Sequence, residues 1–173
     1  MALFSIRRHA AVKAAAGLVL CAGLVGSTSS AVAAKPNPEL KRVKAATARF
    51  HSVKQAQKAG YLATPVCVSS PLGGMGYHFQ NPALMNDGVL DPQRPEVLLY
   101  ERAANGRYKL TGVEYYIPAS QTAAAPVLFG QTFLGPMPAH YAGMQVHYDL
   151  HVWLWKHNPS GMFAQWNPDV SCP

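Results

Sequence analysis

Between residues 39 and 59 the apolar residues recur at steps of three and four, and neither glycine nor proline interrupts them. This spacing is typical of an amphipathic helix with one face turned to a core. Gly60 follows directly, at a position where helix ends favour glycine. The pattern therefore predicts one N-terminal helix over 39–59, with an apolar stripe of Leu40, Val43, Ala46, Thr47, Phe50 and Val53.

The pattern then changes to alternation, which indicates strands. Residues 97–102 and 108–117 flank Asn105-Gly106, a pair that favours a two-residue type I′ turn, and they predict a β-hairpin. The turn would set a register in which Glu101 lies opposite Leu110. The hairpin is the clearest antiparallel element of the chain.

Glu114 has an unusual place in this hairpin. The predicted register pairs it with Val97, on a face that otherwise carries mostly apolar side chains. A carboxylate in such surroundings needs a partner, or its pKa rises. Glu114 is therefore a candidate functional acid.

Residues 144–155 form the last alternating segment. One face of the predicted strand holds His147, Asp149, His151, Trp153 and Trp155, and the other face is mostly aliphatic. His147 and His151 would lie about 13 Å apart along the strand. Both therefore cannot bind one ion unless the strand bulges.

Residues 1–34 have the three-part layout of a secretory signal peptide. A basic start precedes an apolar core over residues 14–25, and small residues follow at the end of the segment. The core has about a dozen residues, fewer than the ~20 that a spanning helix needs. We expect a secreted or periplasmic protein with 35–173 as a single globular domain. An uncleaved membrane anchor and a lipid anchor at Cys21 are the alternatives.

Residues 35–173 contain two cysteines, Cys67 and Cys172. An even pair in an exported chain is most simply a disulfide, and a functional dithiol is the alternative. One helix followed by antiparallel strands predicts an α+β fold. We expect the N-terminal amphipathic helix to pack on a curved antiparallel sheet or a small barrel.

The charge pattern bears on the partners of the protein. Three of the +7 formal charges lie in the predicted leader, so about +4 remains on residues 35–173. These basic residues are scattered and form no stripe with aromatic residues, so we expect no nucleic acid as a partner. Residues 35–173 contain no apolar run long enough to span a membrane.

Three histidines and one acid come from four separate predicted elements. Imidazole and carboxylate groups together make a good ligand set for zinc, iron, manganese or copper. The sequence therefore predicts a histidine-rich pocket that holds a divalent transition metal, provided that the fold brings its ligands together. The predicted ligands are His51, His78, Glu114 and His151.

Other interpretations of these residues remain open. Buried histidines are often only hydrogen-bonded to backbone carbonyls or tyrosine hydroxyls, and Glu114 can simply pair with a buried Arg or Tyr. His151 and Glu114 can also form a general base pair without a metal. The sequence identifies no reaction, so it leaves open whether the protein is an enzyme.

The large aromatic residues suggest a pocket for a small-molecule ligand. Two alternatives to a metal site follow. One is a metal-free module that binds a small apolar or aromatic ligand against the tryptophans, and the other is a structural envelope protein without a pocket. The predicted pocket residues are Tyr77, Tyr116, His147, Asp149 and Trp153.

Four short motifs resemble those of a family of secreted bacterial hypothetical proteins without an established activity. The resemblance covers most of residues 35–173. It implies export and a single domain, and it carries no functional residue over to this chain. The motifs are Met75-Gly76-Tyr77-His78-Phe79-x-Asn81-Pro82, Pro95-Glu96-Val97-Leu98-Leu99-Tyr100, Gly112-Val113-Glu114-Tyr115, and Leu150-His151-Val152-Trp153-Leu154-Trp155 with Asn158-Pro159.

Overall fold

The structure, a computed structural model, describes residues 37–141 and 143–173. The predicted signal peptide lies outside the described residues. The strands are β1 (Leu62–Ser70), β2 (Gly73–Gln80), β3 (Val97–Arg102), β4 (Tyr108–Pro118), β5 (Val127–Leu128), β6 (Gln131–Thr132), β7 (Leu134–Met137) and β8 (His147–Val152).

Six of these strands form one antiparallel sheet in the order β1-β2-β3-β4-β8-β7, and β5 pairs with β6. The central strands are rich in β-branched and aromatic residues, which fit a pleated and largely buried surface. The sheet curls into a half-barrel, so the predicted α+β class with a curved antiparallel sheet is confirmed.

Three short helical segments take the place of the single helix predicted over 39–59. They are α1 (Pro38–Thr47), a 3₁₀ helix (Ala48–His51) and α2 (Val53–Lys58), and a further short helix, α3, spans Pro82–Met85. In the described part of the chain, no helix has the length and apolar character of a membrane span.

The break in the predicted helix has a tertiary cause. The Phe50 carbonyl accepts a 2.6 Å hydrogen bond from the Tyr100 hydroxyl on β3. The backbone is extended at Ser52, directly before α2. Phe, His and Ser are also weaker helix formers than the Ala and Lys residues of α1. The α-helix therefore gives way to a 3₁₀ helix around Phe50 and resumes at Val53, although the apolar stripe is continuous.

The sheet has an apolar core on each face. On the first face, Val43, Phe50 and Ala56 of the helical segments join a large cluster of strand residues. On the second face, a smaller cluster contains Val97, Leu99, Trp153 and Val170. The second face also carries the buried polar residues described below.

The β3–β4 hairpin keeps its predicted register at the base and differs at the tip. Val97 pairs with Glu114 as predicted, but Leu110 lies opposite Tyr100. The loop has three residues and ends on Gly106 at a φ of 77°, as in a type I turn followed by a left-handed glycine. The pairing shifts by one residue between Leu99 and Tyr100, where β4 has a bulge. The base of the hairpin keeps the predicted pairing, so Glu114 keeps its predicted face.

Strand β8 is shorter than the segment predicted over 144–155. After Val152 the regular pairing with β4 ends. The Trp153 backbone N–H donates to the Met162 carbonyl, and the Trp155 backbone N–H donates to the Thr111 carbonyl. The predicted place of Trp155 on the face of the preceding histidines is therefore wrong, and its side chain packs against the first core.

The predicted disulfide between Cys67 and Cys172 is confirmed. It joins β1 to the C-terminal tail across 105 residues of sequence. The Gly74 N–H donates to the Asn167 carbonyl at 3.0 Å and adds a second link between the tail and the first hairpin.

Candidate metal centre

Three of the predicted ligands meet on the second face of the sheet. His78 lies on β2, Glu114 on β4 and His151 on β8. One nitrogen of each histidine and one carboxylate oxygen all lie within 4.8 Å of one another. Glu114 and His151 are cross-strand partners, whereas His78 reaches Glu114 across β3. The curvature of the sheet brings these side chains together.

The Glu114 carboxylate is central to this cluster. Its Oε2 atom lies 3.3 Å from His78 Nε2 and 3.8 Å from His151 Nε2. Glu114 is 4% exposed and His151 is 1% exposed. Within the described residues, Glu114 Oε2 and both ring nitrogens of His151 lack a hydrogen-bond partner. Buried polar atoms without partners are costly, so the cluster would gain from a bound cation.

The protonation states of the cluster suit a cation. Burial alone would raise the pKa of Glu114, but the attraction of His151 and the nearby His78 outweigh it and lower the pKa to about 2. Burial lowers the pKa of His151 to about 4, against the opposing attraction of Glu114. A metal binds imidazole in its neutral form, and burial favours that form of His151.

Asp149 lies next to the three ligands. It is 1% exposed, and its Oδ1 atom is 3.9 Å from His151 Nδ1. Burial, reinforced by the negative charge of Glu114, raises the pKa of Asp149 to about 8. Its place beside the outer nitrogen of His151 is that of a residue that orients a metal-bound imidazole.

A pocket of about 360 Å³ opens onto the cluster. Its walls come from β1, β2, β4, β8 and the segment that precedes β8. The lining residues are Thr64, Pro65, Val66, Val68, Met75, His78, Gln80, Glu114, His140, Tyr141, Met144 and Asp149. Asp149 is thus the one predicted pocket residue, apart from the ligands, that lines it.

The other predicted pocket residues lie elsewhere. Tyr77 points to the face of β2 opposite to His78. Its ring packs on Tyr108 there, with the two ring centroids 5.3 Å apart. Tyr116 and His147 pack together with ring centroids 4.8 Å apart. Trp153 is buried in the smaller core. Strand alternation explains the placement of Tyr77, because neighbouring residues on a strand face opposite ways.

His51, which the sequence placed among the ligands, is separate from the cluster. It ends the 3₁₀ helix, its side chain is exposed, and its ring contacts Trp155 at 4.4 Å. Trp155 packs against the first core, while His78, Glu114 and His151 lie on the second face. The sheet therefore lies between His51 and the other predicted ligands.

The sequence contained little signal for several pocket residues. His140 and Tyr141 belong to a connection without periodicity, and only the fold brings it over β2. There the Tyr141 hydroxyl donates to Gln80 Oε1 at 2.8 Å. Strict alternation along β2 would place Met75 with Tyr77, away from His78, and the register shift next to Gly76 brings it to the pocket instead. No pattern in the sequence relates Met144 to the site.

Comparison with protein-family models, curated proteins and solved structures gives no match. The function is therefore inferred from the chemistry of the cluster and the pocket.

Proposed function

We propose that this protein is an exported metal-binding protein in which His78, Glu114 and His151 hold a divalent transition metal. One observation carries the proposal. Three ligand atoms lie within 4.8 Å of one another, and two of the buried polar atoms among them have no other partner in the described residues. This arrangement is costly without a cation and favourable with one.

The donor set narrows the choice of metal. Two imidazole nitrogens and one carboxylate oxygen suit zinc, iron, manganese or copper better than calcium or magnesium, which prefer all-oxygen sites. Three protein ligands leave a coordination position free, as in catalytic and ligand-binding zinc sites rather than closed structural sites. The adjoining pocket gives that position access to a small molecule.

Export has separate support. The leader has the layout of a signal peptide, and Cys67 and Cys172 form a disulfide, a bond typical of secreted and periplasmic proteins.

Metal titration of the protein without a histidine tag tests the site. After chelator treatment and dialysis, we expect the wild type to bind about one equivalent of Zn²⁺ or Co²⁺. Loss of a residue that only orients a metal ligand costs roughly 10- to 100-fold in affinity. We expect a larger loss of metal affinity when a ligand itself is replaced, in His78→Ala, Glu114→Gln and His151→Ala. The control is His157→Ala, because His157 is exposed and outside the cluster.

Two results would contradict the metal site. One is the absence of stoichiometric binding of any of the four metals. The other is an equal loss of affinity in His157→Ala and in the three ligand variants.

A metal-free binding module is the second candidate function. The apolar part of the pocket favours it, since Pro65, Val66 and Met75 line the wall next to the cluster. Its ligand would bind equally well before and after treatment with a chelator. Among the described residues, the pocket lining includes no tryptophan, so such a ligand would contact aliphatic and methionine side chains.

A further inference from the structure

We infer that the pocket takes a small carboxylate with an apolar tail, whose head group completes the coordination of the metal and whose tail lies against β1. The inference rests on the proposed function, because the head group needs the metal.

The charge of the site selects a monoanion. Imidazoles bind metals in their neutral form, so Glu114 supplies the one negative charge among His78, Glu114 and His151. A divalent cation leaves this centre with a charge of about +1, which one carboxylate neutralises. The described lining residues include no Lys or Arg, so the metal itself would be the cation that attracts a carboxylate into the pocket.

The apolar wall comes from an irregular part of β1. Ala63 pairs with Phe79 and Cys67 pairs with Tyr77, so three residues of β1 lie opposite one residue of β2. The bulged residues 64–66 line the pocket, together with Val68. Val66 is 61% exposed although it is apolar and lines the pocket, so the tail of a ligand would cover it.

Two methionines complete the apolar part of the pocket. Met75 is 4% exposed and lies on the same strand as His78, and Met144 is partly buried in the segment that precedes β8. Methionine side chains adapt to ligands of differing shape. The volume of about 360 Å³ is near the lower end of the roughly 300–1,000 Å³ typical of small-molecule sites, so the tail must be short.

A chain-length series measures the contribution of the tail. Acetate, butyrate and hexanoate are titrated into the Co²⁺-loaded protein, and binding is followed by calorimetry and by the visible absorption of Co²⁺. Each buried methylene should tighten binding roughly two- to fourfold, so hexanoate should bind at least about tenfold more tightly than acetate. The chelator-treated protein should bind none of the three acids.

Two valines of matched exposure locate the tail. Val66→Ser should weaken hexanoate binding about three- to tenfold, with acetate and Co²⁺ binding unchanged. Val127→Ser is the control, because Val127 is 64% exposed and lies on β5, outside the pocket lining.

The outcomes separate this inference from the metal site. Normal Co²⁺ binding with equal affinities for acetate and hexanoate, or with no carboxylate binding, overturns the inference and leaves the metal site intact. Hexanoate binding of equal strength without metal also overturns it. A protein that binds no metal refutes both.

Discussion

Asp149 is the nearest acid to the three ligands, and its contact with His151 is incomplete. Asp149 Oδ1 and His151 Nδ1 are 3.9 Å apart, and neither has a hydrogen-bond partner within the described residues. A metal-bound histidine commonly donates its second N–H to a carboxylate, which orients the ring. We expect Asp149→Asn to weaken Zn²⁺ binding about 10- to 100-fold, measured by competition with a chromogenic chelator.

The matched control is Asp169→Asn, because the Asp169 side chain is exposed. Circular dichroism should show that both variants are folded. An unchanged Zn²⁺ affinity in Asp149→Asn would rule out the orienting role.

Glu96 is a third buried acid, directly before β3. It is 1% exposed, its Oε2 accepts a 3.0 Å hydrogen bond from the Tyr116 N–H, and its Oε1 has no partner in the described part of the chain. Burial raises the pKa of Glu96 from 4.5 to about 8. Between these values the unfolded chain loses a proton that the folded protein keeps.

The contribution of Glu96 to the stability of the protein should therefore fall as pH rises from about 5 to 8. The pKa of Glu96 is higher in the folded protein than in the unfolded chain. Ionisation of Glu96 therefore destabilises the folded protein, and this destabilisation is absent at low pH and complete above the folded pKa. Glu96→Gln should remove this contribution, make the total slope smaller and raise the free energy of unfolding at pH 9 by a few kcal/mol, while Asp149 keeps its own contribution. Urea unfolding at pH 5, 7 and 9 measures the effect.

Glu39→Gln serves as the control in the same titration, because the Glu39 side chain is 47% exposed. An undiminished slope in Glu96→Gln would show that Glu96 makes no contribution to the pH dependence.

At the scale of elements, Gly76 allows β2 to approach β3 closely. Its φ is 86°, and a Cβ atom at this position would collide with the Tyr100 carbonyl oxygen. Backbone strain in a non-glycine residue held in the left-handed region costs ~1–3 kcal/mol. We expect Gly76→Ala to lower the free energy of unfolding by more than this, because the collision adds to the strain. Because Gly76 precedes His78 by two residues, metal affinity should fall as well.

Gly106→Ala separates backbone strain from the collision. Gly106 has a similar φ of 77°, but a Cβ atom added there would have no heavy atom of the described residues within 4 Å. Denaturant unfolding should show a loss of about 1–3 kcal/mol for Gly106→Ala and a larger loss for Gly76→Ala. Equal losses would show that the contact with Tyr100 is unimportant.

Element-scale predictions succeeded where a local pattern decides the outcome. The alternation of β4 placed Glu114 on its observed face, because side chains on a strand alternate whatever the strand packs against. The helix over 39–59 failed, because the Phe50 carbonyl bonds to Tyr100, fifty residues away in sequence. A helical pattern in the sequence does not reveal such a tertiary contact.

At the scale of the whole molecule, the disulfide closes most of the described chain into one loop. Cys67 and Cys172 are 105 residues apart. In the chain-entropy model, a loop of this size contributes about 4–5 kcal/mol by restricting the unfolded state. We expect the double variant Cys67→Ser, Cys172→Ser to lose stability of this order in urea unfolding.

The disulfide also bears on the pocket, because Cys67 lies between Val66 and Val68 of its wall. A reductant should destabilise the wild type and leave the double variant unchanged. If the wild type keeps its unfolding midpoint after complete reduction, the disulfide has no part in stability.

The sequence by itself determined the properties that depend on neighbouring residues. These are the strand alternation that puts His147, Asp149 and His151 on one face, the buried position of Glu114, and the one cysteine pair of residues 35–173. Each follows from backbone geometry or from composition, which do not depend on the order of strands in the sheet.

Only the tertiary structure decided which ligands meet. His78 joins Glu114 and His151 because the curled sheet brings β2 towards β4 across β3, while His51 lies on the other side of the same sheet. Strand order and curvature arise from contacts between residues far apart in sequence, and the spacing of histidines along the chain holds no record of them.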